Sequence, residues 1–89
     1  MPKKIVETKI GNDELILENT WLGGIKLFLN DEIIGRNTSL FALDKGSPLI
    51  AKRVLIDGAD RLVEVFSYAM INVKLKIHID GEYFAGDMF

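Results

Sequence analysis

Few groups in this chain can do chemistry. His78, in "KLKIHIDGEYFAGD" (74–87), is the single histidine, and there is no cysteine. A histidine can serve as general base or metal ligand. Base catalysis also needs a nucleophile and an orienting carboxylate, yet Ser39, Ser47 and Ser67 stand in no nucleophile motif. Without a second histidine, a metal site would rest on carboxylates alone. "IDGADR" (56–61) and "IDGE" (79–82) set acids beside glycine, but lack the alternating donors and bidentate acid of a calcium loop. "DKGSP" (44–48) lacks the spacing and following helix of a phosphate cradle. None of the 13 acids pairs at a spacing that singles it out for glycoside hydrolysis. The expectation is a non-enzymatic protein with no catalytic residue, metal or cofactor.

The turn and strand signals around these residues point to a β-protein. Val73, Leu75, Ile77 and Ile79 alternate with Lys74, Lys76, His78 and Asp80. This period of two marks a strand with one buried face. "IKLFLN", "LVEVFSY" and "ELILEN" read the same way, "AKRVLID" more weakly, and "TKIGND" ends a strand and turns. Gly11-Asn12-Asp13, Gly23-Gly24, Asn30-Asp31, Lys45-Gly46-Ser47-Pro48, Asp57-Gly58 and Asp80-Gly81 supply the turns. The stretch "SLFALDK" (39–45) is under two turns of helix long and is read as a further short strand.

Shifting the sequence by 50 lays "KLFLNDEIIG" (26–35) on "KIHIDGEYFA" (76–85), and "ELILEN" on "EVFSYA". The fold expected is one all-β domain over 1–89, a small antiparallel β-sandwich of seven or eight short strands. Two similar β-meander halves, about 1–40 and 50–89, would each cover the other's apolar face. The expected core is Leu15, Leu17, Ile25, Leu27, Leu29, Ile34, Val63, Val65, Val73, Leu75, Ile77, Ile79 and Phe84, with Glu32 and Glu82 at the sheet rim.

Asp80-Gly81 suits a type I′ hairpin, whose central residues both need positive φ. Such a turn pairs Ile79 with Glu82, His78 with Tyr83 and Ile77 with Phe84. It sends His78 outward as an exposed rung stacked on Tyr83, beside Lys74 and Lys76. Lys26 holds the matching place in the other half, and Glu14, Glu18 and Glu64 are placed to face these lysines across the ladders.

Composition narrows the partners. The 11 basic and 13 acidic residues are interspersed and the net charge is −2, so no field points to nucleic acid or an anionic membrane. No apolar run approaches the ~20 residues of a membrane helix, and "IVETKIGNDE" after "MPKK" is not a signal peptide. A soluble cytoplasmic protein is expected. In the first half the outward pair matching His78/Tyr83 is Phe28/Ile33, two large apolar groups on a nominally wet face. These two, with the aromatic Phe89, are the interface candidates for a homodimer or a protein partner; the structural reading of Phe28/Ile33 is cover within the chain by a loop or by "SLFAL" (39–43). Trp21 with Gly23 and Gly24 is the ligand candidate, a stacking platform for a small molecule or sugar. Its structural reading is a strand link whose tryptophan plugs the sandwich end.

"ELILENTWLGGIKLFLNDEIIG" followed by "RLVEVFSYAMINVKLKIHIDGEYFAG" resembles the strand order of the Fas apoptotic inhibitory molecule family. The resemblance covers about residues 13–86 and lies in alternating strands and Asp-Gly hairpins. It implies a compact antiparallel β-sandwich that works through protein contacts and carries no catalytic residues. The chain is about as long as one of that family's two β-domains, and no family residue matches a motif here. The expected function is therefore an interaction or assembly module, with ligand binding at Trp21 as the alternative.

Overall fold

In a computed structural model, residues 3–20, 24–37, 46–69 and 73–89 are described. The alternating segments form eight strands: β1 (Lys3–Ile10), β2 (Asp13–Thr20), β3 (Gly24–Leu29), β4 (Glu32–Asn37), β5 (Ile50–Ile56), β6 (Ala59–Ala69), β7 (Val73–Ile79) and β8 (Glu82–Gly86). They pair as two antiparallel meanders, β1-β2-β3-β4 and β5-β6-β7-β8. No helix occurs among the described residues. The 39–45 stretch lies outside them.

Alternation decides what each sheet buries. Leu15 and Leu17 of β2 and Ile25 and Leu27 of β3 face Val63 and Val65 of β6 and Leu75, Ile77 and Ile79 of β7. Each such side chain, moved fully out of water, contributes about 1.5–3 kcal/mol. Leu29, Ile34 and Val73 pack against this centre while partly buried. Val6, Ile50 and Ile56 join the core as well. Val6 follows Ile5 directly and Ile56 closes the run Val54-Leu55-Ile56, so adjacent apolar residues leave the inward side of these strands undefined by alternation.

The hairpins explain the likeness of the halves. Asn30-Asp31 and Asp80-Gly81 both have positive φ at each central residue, as does Asp57-Gly58. These are type I′ turns, whose twist matches that of the strands. Each of the first two is clamped to the preceding strand in the same way. The Asn30 N–H donates to the Glu14 carbonyl while its Oδ1 accepts from the Glu14 N–H, both at 2.9 Å. Asp80 repeats this on Leu62, at 2.9 and 3.0 Å. The third partner changes with charge: Asn30 Nδ2 donates to Asp13, whereas the Asp80 carboxylate accepts from Arg61.

Glu14 therefore matches Leu62, an offset of 48, while Asn30 matches Asp80, an offset of 50. The β2 and β6 strands superimpose one pleat away from the 50-residue shift. Parity is kept, so the same face stays buried.

Both hairpins also carry a bulge. Leu27 pairs with Gly35 but Phe28 with Ile33, and Ile77 pairs with Ala85 but His78 with Tyr83. The extra residues are Ile34 and Phe84. This corrects the expected Ile77–Phe84 pair: Ala85 occupies the inward place, and Phe84 is 41% exposed instead of core. A bulge sets two residues against one and turns the extra side chain out of the alternation. Gly35 holds the matching inward place in β4, where a Cβ would lie 2.8 Å from Ile50 Cγ2. Glu32 and Glu82 are exposed beside their turns.

At the open seams β1 runs beside β8 and β4 beside β5. Polar bonds tie them across the sheets. The Asp57 N–H donates to Asp13 Oδ2 at 2.6 Å, and Asn37 Nδ2 donates to the Leu49 carbonyl at 2.9 Å. Lys4 Nζ stands 2.7 Å from Asp87 Oδ2, which also accepts from the Leu75 N–H.

The Lys4 ammonium and the Leu75 amide hold the Asp87 carboxyl below its ordinary 3.8. Bonds from the Asp57 and Leu62 backbones do the same for Asp13 and Asp80. A carboxyl whose folded pKa is depressed adds stability above its unfolded value, and this is lost as pH falls through the folded value. Stability is thus expected to drop from about pH 4 downward. Asp87→Asn should lower the plateau near neutrality by up to about 1 kcal/mol and reduce the acid drop by the same amount. Acid titration of the melting temperature checks it.

Candidate functional site

The two sheets turn opposite faces outward, and the sequence candidates fall on both. On the first sheet, burial of Val6, Leu15, Leu17, Ile25 and Leu27 sends Ile5, Glu7, Ile16, Glu18, Lys26 and Phe28 to the other side. The registers arrange these as rows. Glu7, Ile16, Phe28 and Ile33 lie directly opposite one another across β1–β4. The adjacent row is Ile5, Glu18, Lys26 and Arg36. Ile16 and Phe28 are half-buried, Ile33 is 43% exposed and Ile5 46%. An apolar row therefore crosses the sheet beside a charged one. Phe28 and Ile33 pair side by side across the I′ turn. Ile16 extends the row, a residue that the sequence reading left out of the pair because the β2–β3 register depends on the length of the intervening link.

The second sheet presents rings and cations. His78 pairs with Tyr83 and, on its other flank, with Glu64. It is half-buried, with the Phe66 ring 4.8 Å away and Tyr83 edge-on at 6.4 Å. The expected exposed, stacked histidine is thus a wedged one. Burial and then Lys76 push its pKa below the ordinary 6.5, against the opposing pull of Glu64. Of the lysines expected to face carboxylates, Lys26 does, opposite Glu18, whereas the two on β7 meet rings across the ladder. Lys76 pairs with Phe66 and Lys74 with Tyr68. Lys76 Nζ sits 5.4 Å from the Phe66 centroid and 4.3 Å from that of Phe89, a cation–π sandwich.

Phe89 reaches this face because the tail folds back after Gly86. Its ring stacks with Tyr68 at 6.4 Å, and its carbonyl accepts from Lys76 Nζ. Tyr83 O–H donates to the Gly86 carbonyl, and the Asp87 N–H donates to the Leu75 carbonyl at 2.7 Å. Phe89 is therefore an intramolecular cover on the second sheet, on the opposite side of the molecule from Phe28 and Ile33. The structure does not bring these three interface candidates together. Phe66 and Tyr68 of β6 are members of this cluster that sequence reasoning missed, because their place opposite Lys76 and Lys74 of β7 depends on the register between the two strands.

A pocket of about 250 Å³ opens near the I′ turns, lined by Ile10, Ile56, Ile79 and Phe84 with Arg61 and Asp80. It is smaller than the roughly 300–1,000 Å³ of ligand sites. Of its charged lining residues, Arg61 and Asp80 already bond each other at 2.9 Å, and the third is Glu82.

Trp21 and Gly23 lie outside the described residues. Gly24 is buried opposite Thr20 with φ of 73°, a conformation that favours glycine at the start of β3. No group of three or more metal-ligating side chains occurs among the described residues. No helix among them is long and apolar enough to cross a membrane.

No family model, curated protein or solved structure matches this chain.

Proposed function

We propose that this chain is a non-enzymatic protein-interaction or assembly module that acts through the outward face of its first sheet. The observation that carries this reading is the Ile16–Phe28–Ile33 row, set beside charged residues and ending in an exposed isoleucine. Contiguous apolar surface of this kind marks interaction faces more often than isolated exposed residues do. The likeness to the Fas apoptotic inhibitory molecule family supports the same kind of role through the same hairpin pattern.

Phe28→Lys tests it. The variant is expected to keep the circular dichroism and cooperative melt of the parent while self-association or partner binding falls at least about tenfold, the weight of a single interface anchor. Unfolding of the variant would instead show that Phe28 is core.

A second reading, a small-molecule or carbohydrate-binding β-domain, is favoured by the ring cluster on the second sheet. His78 stands between Phe66, in the neighbouring row at 4.8 Å, and Tyr83, its cross-strand partner at 6.4 Å. Aromatic faces of this kind stack on apolar faces of ligands. Titration of intrinsic fluorescence against a broad glycan panel tests it, and a flat response contradicts it.

A further inference from the structure

We infer that the edge of β7 and the outward face beside it form a docking site for a peptide segment of a partner protein, with an acid and an aromatic residue separated by one position. The chain's own Asp87-Met88-Phe89 fills this site in cis. The inference concerns the second sheet and does not depend on the face of the first.

Beyond Gly86 the β8 ladder changes character. Its pairing with β7 runs from Ile79–Glu82 to Lys76–Gly86. Asp87 adds one further step, of which only half is backbone. The Asp87 N–H donates to the Leu75 carbonyl at 2.7 Å. In return the Leu75 N–H donates at 2.9 Å to Asp87 Oδ2, where an antiparallel strand would offer its main-chain carbonyl. The same oxygen lies 2.7 Å from Lys4 Nζ of β1. One carboxylate is thus held by an amide of the second sheet and an ammonium of the first, and charge-assisted bonds of this kind are the stronger ones.

With the side chain in the ladder, the main chain leaves the edge and crosses to the outward face. There the Phe89 ring stacks with Tyr68 and lies over Lys76, and its carbonyl accepts from Lys76 Nζ. On its far side Lys76 meets Phe66. Met88, between the two anchors, is 75% exposed. The site therefore reads an acid and a ring two residues apart and ignores the residue between them.

Each of these contacts is made by residue 87 or 89 and none needs the covalent link through Gly86, so a segment of another chain with the same pattern can make them. The cis segment is three residues long and its two anchors stay partly exposed. Such a segment belongs to the part of a fold that opens at least cost. Its tether gives it an effective concentration in the millimolar range. A partner segment competes against that, and its apparent affinity falls by the fraction of molecules in which the site is open. The cis segment thus sets a threshold that admits only partners with further contacts of their own.

A peptide titration tests the inference, with acetylated and amidated Gly-Asp-Met-Phe as the probe. In the double variant Asp87→Ala, Phe89→Ala the site is vacated. Side-chain resonances of Tyr68 and Lys76 are expected to shift saturably with peptide in this variant. Half-saturation should lie at least about tenfold below that of the parent chain. The same peptide with alanine for its aspartate or its phenylalanine should lose that response, as should the vacated variant carrying Lys76→Ala. Melts check that the variants fold. If the double variant does not, Phe89→Ala alone, which keeps the Asp87 clamp, is compared with the parent in the same way. A folded, vacated variant without saturable shifts up to roughly 10 mM peptide overturns the docking site. Equal half-saturation in parent and variant overturns occupancy by Asp87 and Phe89.

Discussion

Leu27→Ala is expected to lower stability by about 2–5 kcal/mol, and Phe84→Ala by less than about 1 kcal/mol. Leu27 is completely buried, on a central strand, between Leu17 on one side and Gly35 on the other. The backbone pairings on both sides keep the surrounding strands from collapsing into the space left by the lost methyls. Phe84 is the larger side chain, yet the bulge turns it aside and exposes it. A chain of 89 residues has a total stability of roughly 4–13 kcal/mol, so the leucine variant loses a large share of it. Its melting temperature should fall by at least about 10 °C, and that of the Phe84 variant by only a few degrees. Comparable losses in the two variants would mean that Phe84 points inward and that the bulge is misplaced.

Gly86→Ala is the second large effect, expected to cost about 3 kcal/mol or more. Gly86 has φ of 104°, which non-glycine residues enter only at a cost of about 1–3 kcal/mol. A Cβ there would also meet the Leu75 carbonyl oxygen, a backbone atom that cannot move without breaking the β7 ladder. Gly81→Ala is the control: φ is 83°, but a Cβ would find nothing within 4 Å, so only the backbone cost remains. Chemical denaturation of the two variants separates the terms. Because the tail turns at Gly86, its variant should also release Phe89 from Lys76 and Tyr68. That release is readable as a change in the Tyr68 and Phe89 ring resonances, which the Gly81 variant should leave in place.

The hairpins were legible from local chemistry. Asn30-Asp31, Asp57-Gly58 and Asp80-Gly81 require positive φ, and all three adopt it. The alternation in β2, β3, β6 and β7 fixed which residues face inward, because a strand has only two sides. The bulges were harder to see. Ile33-Ile34 and Tyr83-Phe84 are doublets of large residues, and period two cannot say which member faces in. A signal was present in the next residue: Gly35 and Ala85 are small, as suits the inward place of a strand crowded against the opposite sheet.

The faces were legible only in part. The Phe28/Ile33 pair follows from one turn, since two residues on either side of a short loop must meet. Ile16 and the Glu18–Lys26 juxtaposition need the register across the 21–23 link, which local sequence does not set. The Phe66, Lys76 and Phe89 cluster needs the register of β6 on β7 and the reversal at Gly86 together. Val6 and Ile56 stayed hidden because each adjoins other apolar residues, in Ile5-Val6 and Val54-Leu55-Ile56, where period two does not say which one faces in.

The most direct test of the proposed interaction face is a dilution series followed by side-chain NMR over the full range of soluble concentrations. The expected result is that resonances of Ile5, Ile16, Phe28 and Ile33 move together with concentration while those of Phe66, His78 and Tyr83 stay fixed. Movement confined to the second sheet, or no movement at any concentration, would contradict assembly through the first.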